Sequence, residues 1–169
     1  ASGQGLVGFQ QVTSQEEVDA VDQPLNQVGL SFTPVNGSFQ VLVYNRKTGL
    51  TKTTDIQVDL NGMGEETTLE DIAAALNTID GISAEITPYR GLSIQSTSSD
   101  LEFGFADDTS GLLAALGINT FFTGDSALSI GVNSQVAEEP ALLAASRGGI
   151  GADTENAVDL ARFLDIPLE

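Results

Sequence analysis

An apolar stripe with the repeat of an α-helix is the clearest pattern in this chain. Thr67 and Glu70 have the spacing of a capping box before the stripe, and Gly81 follows it as a residue suited to ending a helix. The pattern therefore predicts a helix over residues 67–81, which needs a sheet to cover its apolar side. The stripe consists of Leu69, Ile72, Ala73, Leu76 and Ile79.

Segments with strand character lie on both sides of the predicted helix, separated by turn signals such as Asn36-Gly37. The two strands before the helix and the two after it should each form an antiparallel hairpin. This order predicts an α+β fold with a mostly antiparallel sheet and the central helix on one face. The predicted strands cover residues 39–44, 53–60, 82–87, 92–96 and 102–106.

The pattern divides the chain into three parts. Residues 1–35 are interpreted as an N-terminal connector, with a short helix from Ser14 to about Val21 and irregular chain after it. Residues 36–133 form the predicted α+β core domain, and residues 134–169 form a helical C-terminal segment. Outside the hairpins and the central helix, we expect a short helix over 107–117, a strand over 128–133, and helices over 140–146 and 154–164.

Charge narrows the range of partners. The chain of 169 residues carries 24 acidic and 6 basic residues, a formal net charge of -18. Nucleic acids and anionic membrane surfaces attract clustered Lys and Arg, so neither is a predicted partner. No apolar run approaches the roughly 20 residues that span a bilayer. Because residue 1 is alanine and Met63 is the only methionine, we expect a piece of a longer protein.

Residue types narrow the range of chemistry. The chain contains no cysteine and no histidine, which removes disulfides, thiol catalysis, Cys/His zinc sites and His-dependent triads. Gly3, Gly5 and Gly8 match the spacing of a dinucleotide-binding loop. However, no strand precedes them and no helix start follows, so a flexible connector is the better interpretation.

The remaining polar motifs also have structural explanations. Asp108-Thr109-Ser110-Gly111 differs from the Asp-Thr-Gly of aspartic proteases by an extra serine and lies where helix caps are expected. Asn36-Gly37-Ser38 fits a glycosylation sequon but also a turn. Adjacent carboxylates rarely face one another on a helix or strand. We predict no enzyme and no catalytic, cofactor-binding or metal-binding residue. The adjacent carboxylates are Glu16-Glu17, Glu65-Glu66, Asp107-Asp108 and Glu138-Glu139.

Four segments resemble the bacterial flagellar hook-associated protein 1 family. The strongest is Phe105-Ala106-Asp107-Asp108-Thr109-Ser110-Gly111-Leu112-Leu113-Ala114-Ala115-Leu116-Gly117-Ile118-Asn119-Thr120-Phe121-Phe122-Thr123-Gly124. Ser129-Ile130-Gly131-Val132-Asn133 resembles the stretch that follows it in the family. Residues 32–39 and 68–77 resemble two earlier stretches, and all four occur in the family's order. The first 30 residues and residues 134–169 are less distinctive.

The resemblance implies a structural protein at the junction between flagellar hook and filament. Such proteins are exported through the flagellar apparatus, act outside the cell and polymerise into one helical layer. The implied partners are further copies and neighbouring hook or junction proteins. Residues 134–169 would lead back toward the axial core. The family's assembly elements are long terminal helices that this chain lacks, so we expect it to be monomeric. The alternative is a carbohydrate- or surface-binding adhesin module with exposed aromatic residues on one face.

Overall fold

The structure, a computed structural model, describes residues 8–118, 120, 122–123, 131–132 and 137–138. These residues form two antiparallel three-stranded sheets, a two-stranded pair and two α-helices, so the predicted α+β class is confirmed. The strands are β1 (Gln11–Thr13), β2 (Gly37–Asn45), β3 (Leu50–Val58), β4 (Ile82–Ile86), β5 (Leu92–Ser96), β6 (Leu101–Ala106), β7 (Phe122–Thr123) and β8 (Gly131–Val132), and the helices are α1 (Leu69–Asn77) and α2 (Leu112–Ala115).

Both predicted hairpins are present. β2 pairs with β3 from Gly37↔Val58 to Asn45↔Leu50, and β4 pairs with β5 from Ile82↔Ser96 to Ile86↔Leu92. The hairpins belong to different sheets, because β6 returns to the free side of β2 while β1 occupies the free side of β5. The strand orders are β3-β2-β6 and β1-β5-β4. The single sheet expected from the sequence is therefore divided in two.

The central helix is shorter than predicted and begins one residue later. Its cap is Thr68 rather than Thr67, and the capping box is completed by Asp71 rather than Glu70. The backbone of Thr67 is hydrogen-bonded to other segments, because its N–H donates to Asp59 O and its carbonyl accepts from Leu25 N. Gly81 has the expected positive φ of 91°, but it lies in the turn before β4, since the helix ends at Asn77.

The predicted apolar stripe is buried. Leu69, Ile72 and Leu76 are at most 1% exposed, and Ile79 beyond the helix is also buried. α1 contacts β4 and β3, which belong to different sheets, so this one helix links the two halves of the core.

The N-terminal segment contributes to the core. Phe9 N donates to Phe103 O and Phe103 N donates to Phe9 O, and β1 then pairs with β5. The pattern of the sequence did not predict this strand, which is only three residues long. The buried side chains of the segment are those of Phe9, Val12, Val18, Leu25 and Val28.

The helix predicted from Ser14 to Val21 does not form. Its backbone bonds to other segments instead: Ser14 N donates to Leu92 O, Val18 N to Arg90 O and Asp19 N to Val28 O. These long-range bonds occupy amides that a helix would have used internally. Irregular chain follows as predicted, apart from one 3-10 turn at Leu25–Gln27.

The helix predicted over residues 107–117 is reduced to α2, preceded by a loop that caps it. Of the strand predicted over 128–133, the structure describes Gly131–Val132, which pairs with Phe122–Thr123. The helices predicted over 140–146 and 154–164 lie outside the described residues, and the domain boundaries at 35 and 133 remain predictions.

Candidate interaction surface

The β2–β3 hairpin presents its turn as one distinct end of the molecule, here called the tip (residues 46–52). Arg46 Nη1 lies 3.1 Å from Glu102 Oε1, and Lys47 Nζ lies 2.6 Å from Asp100 Oδ2. Arg46 also donates to the carbonyl of Ser99. These contacts connect the turn to residues 99–102 around the start of β6 and so fix the position of the tip.

The tip combines basic and apolar groups. It contains Arg46, Lys47 and Lys52 and no acidic residue. Lys52 is exposed and makes no salt bridge within the described part of the chain. Leu50 is 70% exposed, so most of this apolar side chain is not covered by the described residues.

The opposite end of β3 has the reverse charge, and is here called the base (residues 59–71). The base contains five acidic residues and no basic one. Asp59 N donates to Thr67 Oγ1 and Thr67 N donates to Asp59 O, which closes the intervening loop. Met63 in that loop is 75% exposed. The acidic residues of the base are Asp59, Glu65, Glu66, Glu70 and Asp71.

One acidic group in the base lacks an internal partner. Both carboxylate oxygens of Glu66 are enclosed, and neither has a hydrogen-bond partner among the residues that the structure describes. A carboxylate removed from water without a donor or a cation is unfavourable. The base therefore contains a group that a positive charge would stabilise.

Among the described strands, β3 is at the edge of its sheet, with a partner only on the β2 side. Leu60 N donates to Asn36 on the β2 side, whereas Asp59 bonds to Thr67 on the other side. Antiparallel strands alternate the direction of their backbone groups. The same alternation carried back along β3 turns the backbone groups of Thr53 and Asp55 outward, away from β2.

The outer edge of β4, by contrast, is covered. Asn77 at the end of α1 donates through Nδ2 to Ala84 O at 2.7 Å and accepts from Ala84 N at 3.0 Å. Its Nδ2 also donates to Ala73 O. One side chain thus takes the place of a neighbouring strand at the middle of β4.

A polar pocket of about 440 Å³ lies where β2 begins and β3 ends. Its walls carry amide, hydroxyl and carboxylate groups, which can bind hydroxyl-bearing ligands, and no aromatic ring. It is lined by Asn36, Gly37, Ser38, Gln57, Val58, Asp59 and Asn61.

The sequon residues have structural roles in this pocket. Asn36 Oδ1 accepts from Leu60 N at 3.0 Å and so fixes the exit of β3. A Cβ on Gly37 would lie 2.8 Å from Thr109 Oγ1 and 2.9 Å from Ser110 N, so this close approach requires glycine. Gly37 and Ser38 lie in β2, and Asn36 forms a bend directly before it, so the turn expected at Asn36-Gly37 is reduced to this bend.

Asp108 in the protease-like motif is a capping residue. Its Oδ1 accepts from Ser110 N and Gly111 N, and its Oδ2 accepts from Leu113 N. The neighbouring Thr109 exchanges hydrogen bonds with Ser38 and joins the loop to β2. Asp108 Oδ1 also accepts from the Ser110 hydroxyl at 2.7 Å, so both carboxylate oxygens are engaged within the loop that leads into α2, as expected at a helix start.

Two further properties concern the described residues only. They contain no group of three or more Asp, Glu, His or Cys side chains arranged to hold a metal ion. Within the same residues, no helix has the length and apolar character needed to cross a membrane.

Four of the aromatic side chains that the structure describes are buried together. Four rings form one buried cluster with centroid separations of 5.7 to 6.3 Å. Phe32 and Tyr89 are exposed, at 51% and 73%. The cluster contains Phe9, Phe39, Phe103 and Phe105.

Neither the models of protein families nor the curated proteins contain a match to this chain.

Proposed function

We propose that this chain is part of a structural protein of the bacterial flagellum, which joins hook and filament within a polymerised junction layer. The observation that carries the proposal is the segment at residues 105–124, which resembles the strongest signature of the hook-associated protein 1 family. In the described part of this segment, Phe105 and Ile118 are buried, and Asp108 accepts a hydrogen bond from Gly111 N in the turn between them. Packing and capping of this kind favour a structural role for the segment.

The proposal includes a site of action and partners. The protein acts outside the cell after export through the flagellar apparatus, and it contacts further copies of itself and neighbouring hook or junction proteins. It has no catalytic role and binds neither nucleic acid nor membrane. The net charge of -18 supports the last two points, because both of those surfaces are anionic. In the proposed fold, α1 covers one face of the sheet structure with its apolar stripe.

Immunogold labelling tests this proposal directly. Antibodies raised against the purified chain should label isolated flagella of the source bacterium at the boundary between hook and filament. Antibodies absorbed beforehand with the chain are the matched control. Labelling along the cell surface, or evenly along the filament, would contradict the proposal.

A genetic experiment tests the same proposal independently. A layer that joins two structures is needed for the outer one to attach, so deletion of the gene should leave cells with hooks and no attached filaments. Complementation with the intact gene should restore filaments. Normal filaments in the deletion strain would exclude a junction role.

The alternative is a carbohydrate-binding adhesin module, and the polar pocket at the base of the β2–β3 hairpin is the observation that favours it. Sugar binding commonly combines hydrogen bonds with an aromatic ring, and this pocket has no ring among its lining residues. Glycan-array binding that is lost in Gln57→Ala would favour the adhesin. Absence of glycan binding would leave the structural proposal as the better explanation.

A further inference from the structure

The tip and the base of the β2–β3 hairpin are complementary surfaces. The tip has three positive charges and no negative one, whereas the base has five negative charges and no positive one. Each has one prominent exposed apolar side chain, Leu50 at 70% and Met63 at 75%. The two ends are separated by the length of β3, eight residue steps or about 27 Å, so they cannot meet within one molecule.

We propose that the tip of one copy docks on the base of a second copy. Leu50 packs against Met63, and the basic residues of the tip lie among the carboxylates of the base. Lys52 is the main electrostatic contributor, because Arg46 and Lys47 already pair with Glu102 and Asp100. The contact names a specific surface for the proposed assembly role and so rests on that role for its biological meaning.

Geometry gives the contact a direction. Different patches meet in it, so a pair joined by one tip–base contact still presents one free tip and one free base. The contact can therefore repeat head to tail into a ring or a helical array, or occur twice across a twofold axis when two hairpins lie side by side in antiparallel order. Charge argues against contacts between like ends, since base against base brings ten carboxylates together.

A basic partner would stabilise the enclosed carboxylate of Glu66 as well as the exposed carboxylates of the base. Glu66 already has enclosed carboxylate oxygens without an internal donor. Gly62 and Gly64 flank Met63, and no atom lies within 4 Å of a Cβ built on either glycine, so there is space beside Met63 for an incoming side chain. A cation arriving from a second copy would lower the electrostatic cost of this charge without direct contact, because both of its oxygens are covered by the base itself.

The contact is weak in free solution, because each copy carries a net charge of -18 and the copies repel one another. A capture experiment is therefore the appropriate test. The chain contains no cysteine, so a single introduced thiol reports on one position without background. We would mix Leu50→Cys with Met63→Cys at high concentration, oxidise the thiols with diamide, and measure the mixed disulfide.

Tyr89→Cys provides the matched control, because Tyr89 is 73% exposed but lies in the β4–β5 turn, outside both surfaces. The rate of mixed-disulfide formation for each pair is divided by the reactivities of its two thiols toward a small uncharged reagent. This correction removes differences in thiolate fraction between the variants. The Leu50→Cys/Met63→Cys pair should then react about tenfold faster than Leu50→Cys with Tyr89→Cys. Equal rates would overturn the proposal.

Charge reversal provides the second arm. Lys52→Glu in the Leu50→Cys chain should remove most of the advantage, and Glu65→Lys in the Met63→Cys chain should restore part of it. Salt at roughly 0.5 M should also reduce the advantage by screening. The charge-directed contact would be overturned if the reaction stayed equally fast with Lys52→Glu and did not change with Glu65→Lys. The cell-labelling experiment does not depend on this result, so failure of the contact and failure of the flagellar role are distinguishable.

Discussion

Single residues determine which backbone edges of this molecule are closed. Asn77 is the clearest case, since its amide both donates to and accepts from Ala84 on β4. An exposed strand edge is a template for pairing with other chains, and proteins cover such edges in various ways. Here one helix-terminal side chain covers the middle of a five-residue strand.

We predict that Asn77→Ala destabilises the protein by about 1–2 kcal/mol, because three hydrogen bonds are lost and the higher helix propensity of alanine offsets only part of that loss. Urea denaturation followed by circular dichroism measures the change. Asn26→Ala, at an exposed position, should change the free energy of unfolding by less than about 0.5 kcal/mol. Equal effects at the two positions would contradict the role given to Asn77.

At this scale the sequence predicts types of residue better than their positions. Hydroxyl and carboxylate caps were expected before α1 and are present, yet displaced by one residue to Thr68 and Asp71. The displacement depends on Asp59 and Leu25, which bond to Thr67 from other parts of the chain. Local spacing contains no information on those partners.

At the scale of elements, α1 and β3 differ in how much of them is buried. Leu76 on α1 is fully buried, whereas Leu50 at the start of β3 is 70% exposed. We predict that Leu76→Ala lowers the free energy of unfolding by about 2–5 kcal/mol, because a core cavity remains.

Leu50→Ala removes the same atoms from an exposed position and should cost less than about 0.5 kcal/mol. Thermal or urea denaturation of both variants checks the pair. If Leu76→Ala unfolded like the parent, the apolar stripe of α1 could not be the centre of the core.

The open edge of β3 gives a prediction for hydrogen exchange. Thr53 and Asp55 direct their amides outward, so these amides should exchange much faster than that of Ile56, which faces β2. Ala84 is a second edge amide, but Asn77 protects it, and it should exchange slowly until Asn77 is replaced by Ala. Residue-resolved NMR exchange measures all four amides, and uniform protection along β3 would show that its edge is paired.

Long periodic elements could be predicted from the sequence, and short or tertiary ones could not. The stripe of α1 and the alternation around Ile56 and Val58 are strong local signals, and both elements form. β1 has three residues, and its formation depends on β5 some eighty positions later. The false helix from Ser14 had acceptable caps, but its amides bond to Leu92, Arg90 and Val28.

At the scale of the whole molecule, charge is arranged unevenly. Three of the six basic residues lie in the tip, and the base contains five of the 24 acidic residues. The sequence shows both groups as short charged runs. They flank the strand predicted over residues 53–60, so their separation along that strand could be predicted from the sequence. The salt bridges of Arg46 and Lys47 and the exposure of Leu50 and Met63 could not, because they depend on partners and packing from distant parts of the chain.

We predict that the isolated chain is a monomer at tens of micromolar. Its net charge of -18 disfavours close approach, and a tip–base contact alone is too small to overcome that repulsion. Sedimentation should give one species near 17.6 kDa. A stable oligomer burying well over about 1,000 Å² would show that this chain carries a large assembly interface of its own.

The bonds between Phe9 and Phe103 have a consequence for the order of folding. They join residues that are 94 positions apart, and β1 likewise pairs with β5 far along the chain. A chain that emerges from a narrow passage with its N-terminus first would therefore expose its first strand long before the partner arrives. Closing so long a loop slows folding. The first segment to leave such a passage is therefore among the last to become fixed.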